Sequence, residues 1–132
     1  MNVVDSSGWI EFFLAGPNGP NGPSFKPVIE QRDRLIVPVI ALYEVHKILS
    51  RKLPAVAVNQ ALDVMRRGRV IELTDRRVIA ASTIAAQYKL AMADAVMYSM
   101  ALEHKARFWT QDADYDGLPS VQSCVNSPPP ST

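Results

Sequence analysis

Cysteine is almost absent from this chain: Cys124 is the single one among 132 residues. A lone thiol closes no internal disulfide, so a disulfide-stapled secreted scaffold is excluded. Histidine is nearly as scarce, with His46 and His104 the two examples, and neither is expected to bind a metal. A chain of this length still buries roughly two-thirds of its unfolded surface, so a core without disulfides is expected.

Long apolar runs are missing as well. The main apolar stretches, such as residues 35–43 and 78–86, are too short to cross a bilayer. Asp5 and Glu11 interrupt the first apolar stretch and no basic residue precedes it, so a secretory signal is not expected. The formal net charge of +1 predicts no polyanionic partner by itself. We expect a cytoplasmic protein.

Short apolar segments alternate along the chain with longer segments of helical periodicity. Strands are predicted at residues 1–5, 35–37, 70–73 and 107–110 and from Val121 onward. Helices are predicted at residues 9–14, 39–51, 54–67 and 74–88 and from Asp94 onward. This alternation predicts an α/β protein with a parallel sheet and helices on both faces. Residues 1–126 are expected to form a single domain.

One segment and the end of the chain are rich in helix and strand breakers. Residues 16–23 read Gly-Pro-Asn-Gly-Pro-Asn-Gly-Pro, and their prolines and glycines disfavour regular structure. We therefore expect residues 16–27 to form a flexible surface loop. Residues 127–132 are expected to be a disordered proline-rich tail.

Acidic residues stand where a parallel sheet binds its ligands, at the carboxyl ends of strands. Asp5 and Asp112 each come at or just past the end of a predicted strand. Glu44 lies at the edge of the apolar stripe of helix 39–51, where it can face a cleft. Asp94 opens a helix, and an N-cap without a further role is the alternative for it.

Asp112 begins a turn that also contains Asp114, Asp116 and Gly117. A calcium loop of the EF-hand type is one interpretation, but its twelfth position holds Ser123 where a bidentate Glu is required. An ordinary polar turn is the other, because Asp and Gly are common turn formers.

Four segments carry these acids in a fixed order along the chain. They read Val3-Val-Asp-Ser-Ser-Gly-Trp9, Val37-Pro-Val-Ile-Ala-Leu-Tyr-Glu44-Val, Ala93-Asp94-Ala-Val and Thr110-Gln-Asp112-Ala-Asp114-Tyr-Asp-Gly-Leu. Together they resemble the PIN-domain nucleases, specifically the VapC toxins of bacterial type II toxin-antitoxin systems. The resemblance extends from Val3 to about Val121.

The resemblance implies a PIN-like three-layer α/β/α fold with a central, mostly parallel sheet. It also implies a metal-dependent endoribonuclease acting on tRNA or rRNA, a cognate VapB-type antitoxin and a homodimer. By the resemblance, the catalytic and metal-binding residues are Asp5, Glu44, Asp94 and Asp112. Its supporting residues are Ser6, Thr110 and Asp114, and an apolar groove near the first helices would receive the antitoxin.

Elementary electrostatics agrees with that ligand set. Carboxylates that converge at one end of a sheet repel each other unless a cation compensates their charge. Oxygen ligands without histidine or cysteine favour Mg²⁺ or Mn²⁺ over zinc. Either Asp94 or Asp112 could accept a proton from the attacking water, and the sequence does not choose between them or between one metal and two.

Basic and aromatic residues add weaker expectations. Lys47, Arg51 and Lys52 lie near the helix of Glu44 and are the predicted contacts to substrate phosphates. Tyr43, Phe108 and Trp109 fall in the predicted core pattern.

Two other function classes are compatible with an acidic α/β domain. One is a PIN-like domain that binds RNA or a partner without cutting; a missing acid would favour it, and none of the four is missing. A phosphatase or phospho-acceptor domain needs a lysine after a late strand, where this chain offers Thr110 and Asp112.

Overall fold

The structure is a computed structural model that describes residues 1–16 and 19–124. Its strands are β1 (Asn2–Val4), β2 (Leu35–Pro38), β3 (Arg69–Ile71), β4 (Arg107–Thr110) and β5 (Val121–Ser123). Its α-helices are α1 (Ser6–Ala15), α2 (Gly22–Glu30), α3 (Val39–Leu49), α4 (Ala55–Met65), α5 (Asp75–Tyr88) and α6 (Met92–Glu103). Among these helices none has the length and apolarity needed to cross a membrane.

The five strands form one sheet in the order β3-β2-β1-β4-β5, and every neighbouring pair is parallel. The central strand β1 pairs on both sides, with Val3 opposite Ile36 of β2 and Phe108 of β4. The carboxyl ends of all five strands therefore share one edge of the sheet. The predicted α/β class with a parallel central sheet is confirmed.

The middle strands are apolar because they are covered on both faces. Val3 and Val4 of β1 and residues 35–37 of β2 are all buried. Continuous burial of this kind is typical of a parallel sheet between helices, and it explains why these strands read as apolar runs without alternation. The boundaries of β4 match the prediction, and Thr74 caps α5 by accepting a hydrogen bond from the backbone N–H of Arg77.

Helix α2 begins at Gly22, so the predicted loop over residues 16–27 is wrong from residue 22 onward. Pro23 lies in the first turn, where its missing N–H needs no partner. Phe25, Val28 and Ile29 then bury one face of the helix, and this burial outweighs the hydrogen bond that Pro27 removes. Residues 17–18 of the predicted loop and the predicted tail, residues 127–132, lie outside the described residues.

Helix α1 begins at Ser6, three residues before the predicted start, and packs tightly against α2. A Cβ atom on Gly8 would lie 2.6 Å from Cε1 of Phe25 and 2.8 Å from Cγ1 of Val4. Glycine at position 8 therefore allows α2 to approach the helix that follows Asp5.

The core prediction is correct for Phe108, which is fully buried, and wrong for Tyr43, which is 64% exposed. Helix α3 buries Ala41, Val45 and Leu49, spaced four residues apart. Tyr43 lies two residues from Ala41, about 200° around the helix, and so faces away from the core.

Replacement of Gly8 by Ala should overpack the contact between α1 and α2. We expect Gly8→Ala to lower the free energy of unfolding by about 1–3 kcal/mol, measured by urea denaturation. The loss should shrink in a Phe25→Leu background, because the shorter side chain leaves room for the new methyl group. Thr83→Ala on the exposed face of α5 is the control and should change stability little. An equal loss in both backgrounds would contradict the packing explanation.

Candidate active site

The shared edge of the sheet brings together the ends of β1 and β4. Asp5 follows β1 directly, and Thr110 ends β4 two residues before Asp112. Two helices approach the same edge, with Glu44 on α3 and Asp94 in the first turn of α6. Four elements distant in sequence thus supply the predicted acids.

Asp5 is a buried carboxylate held by two hydroxyl groups. Its Oδ2 accepts hydrogen bonds from Ser7 Oγ at 2.8 Å and from Thr110 Oγ1 at 2.7 Å. Burial raises the pKa of Asp5 to about 6, and the negative charges of Asp94 and Asp112 add to that increase against the two hydrogen bonds. Among the described residues no side chain donates to Oδ1, so that oxygen remains available to a ligand.

Thr110 joins the two strand ends through one hydroxyl group. It donates to Asp5 and accepts from the backbone N–H of Asp112 at 2.9 Å. Asp112 Oδ1 in turn accepts from the backbone N–H of Asp114 at 2.9 Å. This chain of hydrogen bonds fixes the loop after β4 relative to β1.

Three carboxylates form a compact group: Asp94, Asp112 and Asp114 each place an oxygen within 4.8 Å of the others. Asp94 is not an N-cap, because Ala91 occupies that position and Asp94 lies in the first turn of α6. Partial burial raises the pKa of Asp94, and the charges of Asp112, Glu44 and Asp114 raise it further.

Glu44 contacts the start of α1, where its Oε1 accepts a hydrogen bond from Ser6 Oγ at 2.7 Å. Glu44 and Asp5 lie outside the compact group, yet each is close enough for its charge to act on Asp94 or to be acted on by it. Asp114, predicted only as a supporting residue, belongs to the group. The fold therefore groups three of the acids and brings Asp5 and Glu44 near enough to interact with Asp94 by charge.

This site fits a hard divalent cation. Within residues 1–16 and 19–124, none of the five acids forms a salt bridge with a lysine or arginine. The donors that converge are carboxylate oxygens, which suit Mg²⁺ or Mn²⁺. A buried carboxylate with no basic partner is costly to keep charged, and a cation would remove that cost.

The predicted substrate contacts Lys47, Arg51 and Lys52 are all exposed. In the described part of the chain none of them is engaged in a salt bridge. Of the two histidines, His46 is exposed on α3, and His104 places Nδ1 2.8 Å from the carbonyl oxygen of Met100.

Sequence reasoning missed several residues that shape the site. Ser7 shares the hydrogen bonding of Asp5 with Thr110, and its only sequence signal is a hydroxyl two residues after the acid. Tyr115 is fully buried in the 3₁₀ turn that follows Asp112, and an aromatic residue in an otherwise polar turn was its signal. Asn21 donates to Gln111 Oε1 at 2.6 Å, a contact across 90 residues that no local pattern could indicate.

Comparison with protein families matches residues 3–120 to the PIN domain. The matched range contains all five acids. Comparison with curated proteins by sequence finds no match.

Solved structures share the architecture at low sequence identity. A toxin-antitoxin complex from Klebsiella pneumoniae aligns with a TM-score of 0.78 and 15% identity over 96% of this chain and 100% of that one. VapC20 from Mycobacterium tuberculosis, a sarcin-ricin loop cleaving toxin, aligns with a TM-score of 0.72 and 16% identity over 90% and 95%. VapBC2 from Rickettsia felis, bound to a promoter DNA fragment, aligns with a TM-score of 0.72 and 12% identity over 92% and 97%. The predicted PIN-like fold is confirmed.

The buried carboxyl of Asp5 should make the metal-free protein less stable as the pH rises. Its pKa is about 6 in the folded protein against an ordinary value of 3.8, so between these values the folded state holds the proton more tightly than the unfolded chain. The free energy of unfolding should fall by up to about 3 kcal/mol between about pH 4 and pH 7.

Urea denaturation in EDTA across this pH range measures the effect. Asp5→Asn should remove this part of the pH dependence, because Asn keeps an acceptor for Ser7 and Thr110 without a titrating proton. Asp63→Asn, at an exposed position of α4, should keep the wild-type slope. A slope unchanged by Asp5→Asn would contradict the assignment.

Proposed function

The chain belongs to the PIN domain family, and on that premise we propose that it is a VapC-type toxin, an endoribonuclease that hydrolyses phosphodiester bonds in cellular RNA with Mg²⁺ or Mn²⁺. The proposed substrates are tRNA or rRNA. The observation that carries the proposal is the compact group of Asp94, Asp112 and Asp114 at the edge of the sheet. Asp5 and Glu44 interact with Asp94 by charge, and none of the five acids has a lysine or arginine partner among the described residues.

Asp5, Glu44, Asp94 and Asp112 would hold the cation, and Asp114 adds a fifth carboxylate beside them. A bound divalent cation lowers the pKa of a water molecule and neutralises charge on the leaving oxygen of a phosphodiester. The hydroxyl groups of Ser7 and Thr110 hold Oδ2 of Asp5, and Oδ1 has no side-chain donor among the described residues.

The remaining steps belong to side chains around the cluster. Asp94 and Asp112 are the two candidates to accept the proton that water loses on attacking phosphorus. Lys47, Arg51 and Lys52 bind the phosphate backbone, as their exposure and positive charge allow. Because these contacts read charge and not bases, their removal should weaken RNA binding without changing the cleavage position.

An antitoxin is the proposed partner of the first helices. A groove of about 500 Å³ lies there, lined by the apolar Phe12, Ile29 and Val64 and by two basic residues and one acidic residue, Arg32, Arg67 and Glu30. That combination suits a peptide with an apolar side chain flanked by acids. The relatives from Klebsiella pneumoniae and Rickettsia felis are themselves toxin-antitoxin structures, which supports the proposal.

A second copy of the chain is the proposed partner of the face between α5 and α6. Met92 is 75% exposed and lines an apolar groove there together with Leu73, Val78 and Ala85. Ile79, next to Val78 on α5, is 68% exposed. Homodimer interfaces are more apolar than the interfaces of transient complexes. Such an interface would cover the exposed side chain of Met92.

Purified protein should cut total cellular RNA into discrete fragments with Mg²⁺ or Mn²⁺ and not with EDTA. Asp94→Asn should lower the cleavage rate by about 100-fold or more, because the change removes a charge of the cluster at constant volume. Gel or sequencing analysis of the fragment ends measures cleavage and identifies the target.

The matched control is Asp63→Asn, an exposed acid on α4 that belongs to no cluster. It should cleave like the wild type, and circular dichroism should show that both variants are folded. Folded wild-type and Asp94→Asn proteins with the same metal-independent RNA pattern would reject the nuclease. RNA binding without cleavage would favour the non-cutting PIN-like domain instead.

The proposed dimer interface is tested by replacing two of its apolar side chains with charged ones. Ile79→Lys combined with Met92→Lys should convert a dimer to a monomer in light scattering after size-exclusion chromatography, because four lysines would meet across a two-fold interface. Val56→Lys, at a 69% exposed position of α4 that does not line the groove, should leave the dimer intact. A monomeric wild type would contradict the proposal.

A further inference from the structure

Tyr115 directly follows Asp114 in the turn that carries two acids of the compact group. It ends the 3₁₀ turn Ala113–Tyr115 and has no exposed surface. Its ring lies 4.7 Å from that of Phe108 and 6.0 Å from that of Tyr98, measured between centroids. Packing against these two rings fixes where the hydroxyl group points.

The hydroxyl group of Tyr115 is buried and, within the described residues, has no hydrogen-bond partner at full geometry. A phenol hydroxyl group is protonated in its ordinary form and is a hydrogen-bond donor. The charges of Asp5, Asp94 and Asp112 reach it, and its oxygen lies close enough to the Asp94 carboxylate to interact with it.

A buried hydroxyl group without an acceptor destabilises a folded protein. Phenylalanine would fill the same space and make the same ring contacts without that cost. Tyrosine at this position therefore supplies one thing that phenylalanine cannot, which is a proton donor directed at the carboxylates.

We propose that Tyr115 is a positioning residue for the metal site: its hydroxyl group donates a hydrogen bond to the Asp94 carboxylate when the acidic cluster holds its divalent cation. The inference rests on the proposed function, because it assumes that the cluster binds such a cation. Asp94 lies on α6 and Tyr115 on the loop of Asp112 and Asp114, so this hydrogen bond would couple the two elements that form the compact group.

Outer hydrogen bonds to metal ligands typically contribute 10- to 100-fold to metal affinity. Without a bound cation, the same hydroxyl group lowers the stability of the folded protein, because it is buried without an acceptor in the described part of the chain. Its removal should therefore act in opposite directions on the two forms of the protein, which a purely structural residue would not do.

The test is Mn²⁺ binding to wild type and Tyr115→Phe, followed by isothermal titration calorimetry, with thermal unfolding of both proteins in EDTA. We expect Tyr115→Phe to bind Mn²⁺ about 10- to 100-fold more weakly. Its melting temperature in EDTA should equal or exceed that of the wild type. Any loss of RNA cleavage should be restored by excess Mn²⁺.

Tyr98→Phe is the matched control from the same aromatic cluster. The Tyr98 hydroxyl group donates to the carbonyl oxygen of Pro119 at 2.5 Å and so has a structural task. This variant should melt at a lower temperature in EDTA and bind Mn²⁺ like the wild type.

Wild-type Mn²⁺ affinity in Tyr115→Phe would overturn the inference. So would a parallel loss of melting temperature and affinity, because that pattern indicates a structural residue. If the wild type itself binds no Mn²⁺, the metal-dependent function fails first and the inference fails with it, and the titration of the wild type separates that case from the others.

Discussion

Parallel pairing on both sides of β1 is the constraint on which the rest of the molecule depends. It places the ends of β1 and β4 side by side, so that Asp5 and Thr110 meet although they are 105 positions apart. The helices that must connect parallel strands then deliver Glu44 and Asp94 to the same edge. The site is thus a consequence of the topology, and the loops refine it.

That arrangement works against the stability of the metal-free protein. Burial and like charges raise the pKa of both Asp5 and Asp94, which means that the fold holds these groups in an unfavourable electrostatic environment. The hydroxyl groups of Ser7 and Thr110 hold Asp5 in place despite the repulsion. A cation bound among these carboxylates would offset that repulsion.

Local patterns predicted those parts of the molecule that local physics determines. Strand β4, the Thr74 cap and the acids at the strand ends follow from apolar runs, side-chain capping and sheet topology. Helix α2 could not be predicted, because it depends on Phe25 packing over Gly8 of another helix. The grouping of Asp114 with Asp94 and the burial of Tyr115 depend in the same way on how α6 meets the loop after β4, which no stretch of sequence records.

The hydrogen bond between Asn21 and Gln111 joins the start of α2 to the peptide between Thr110 and Asp112. Gln111 also donates to the carbonyl oxygen of Ser7 at 3.4 Å. Its amide side chain therefore contacts both the start of α2 and the helix that follows β1. A displacement of α2 is therefore transmitted through Asn21 and Gln111 to the loop that carries Asp112. A partner that binds the outer surface of α2 and shifts this helix would change the geometry of the carboxylates.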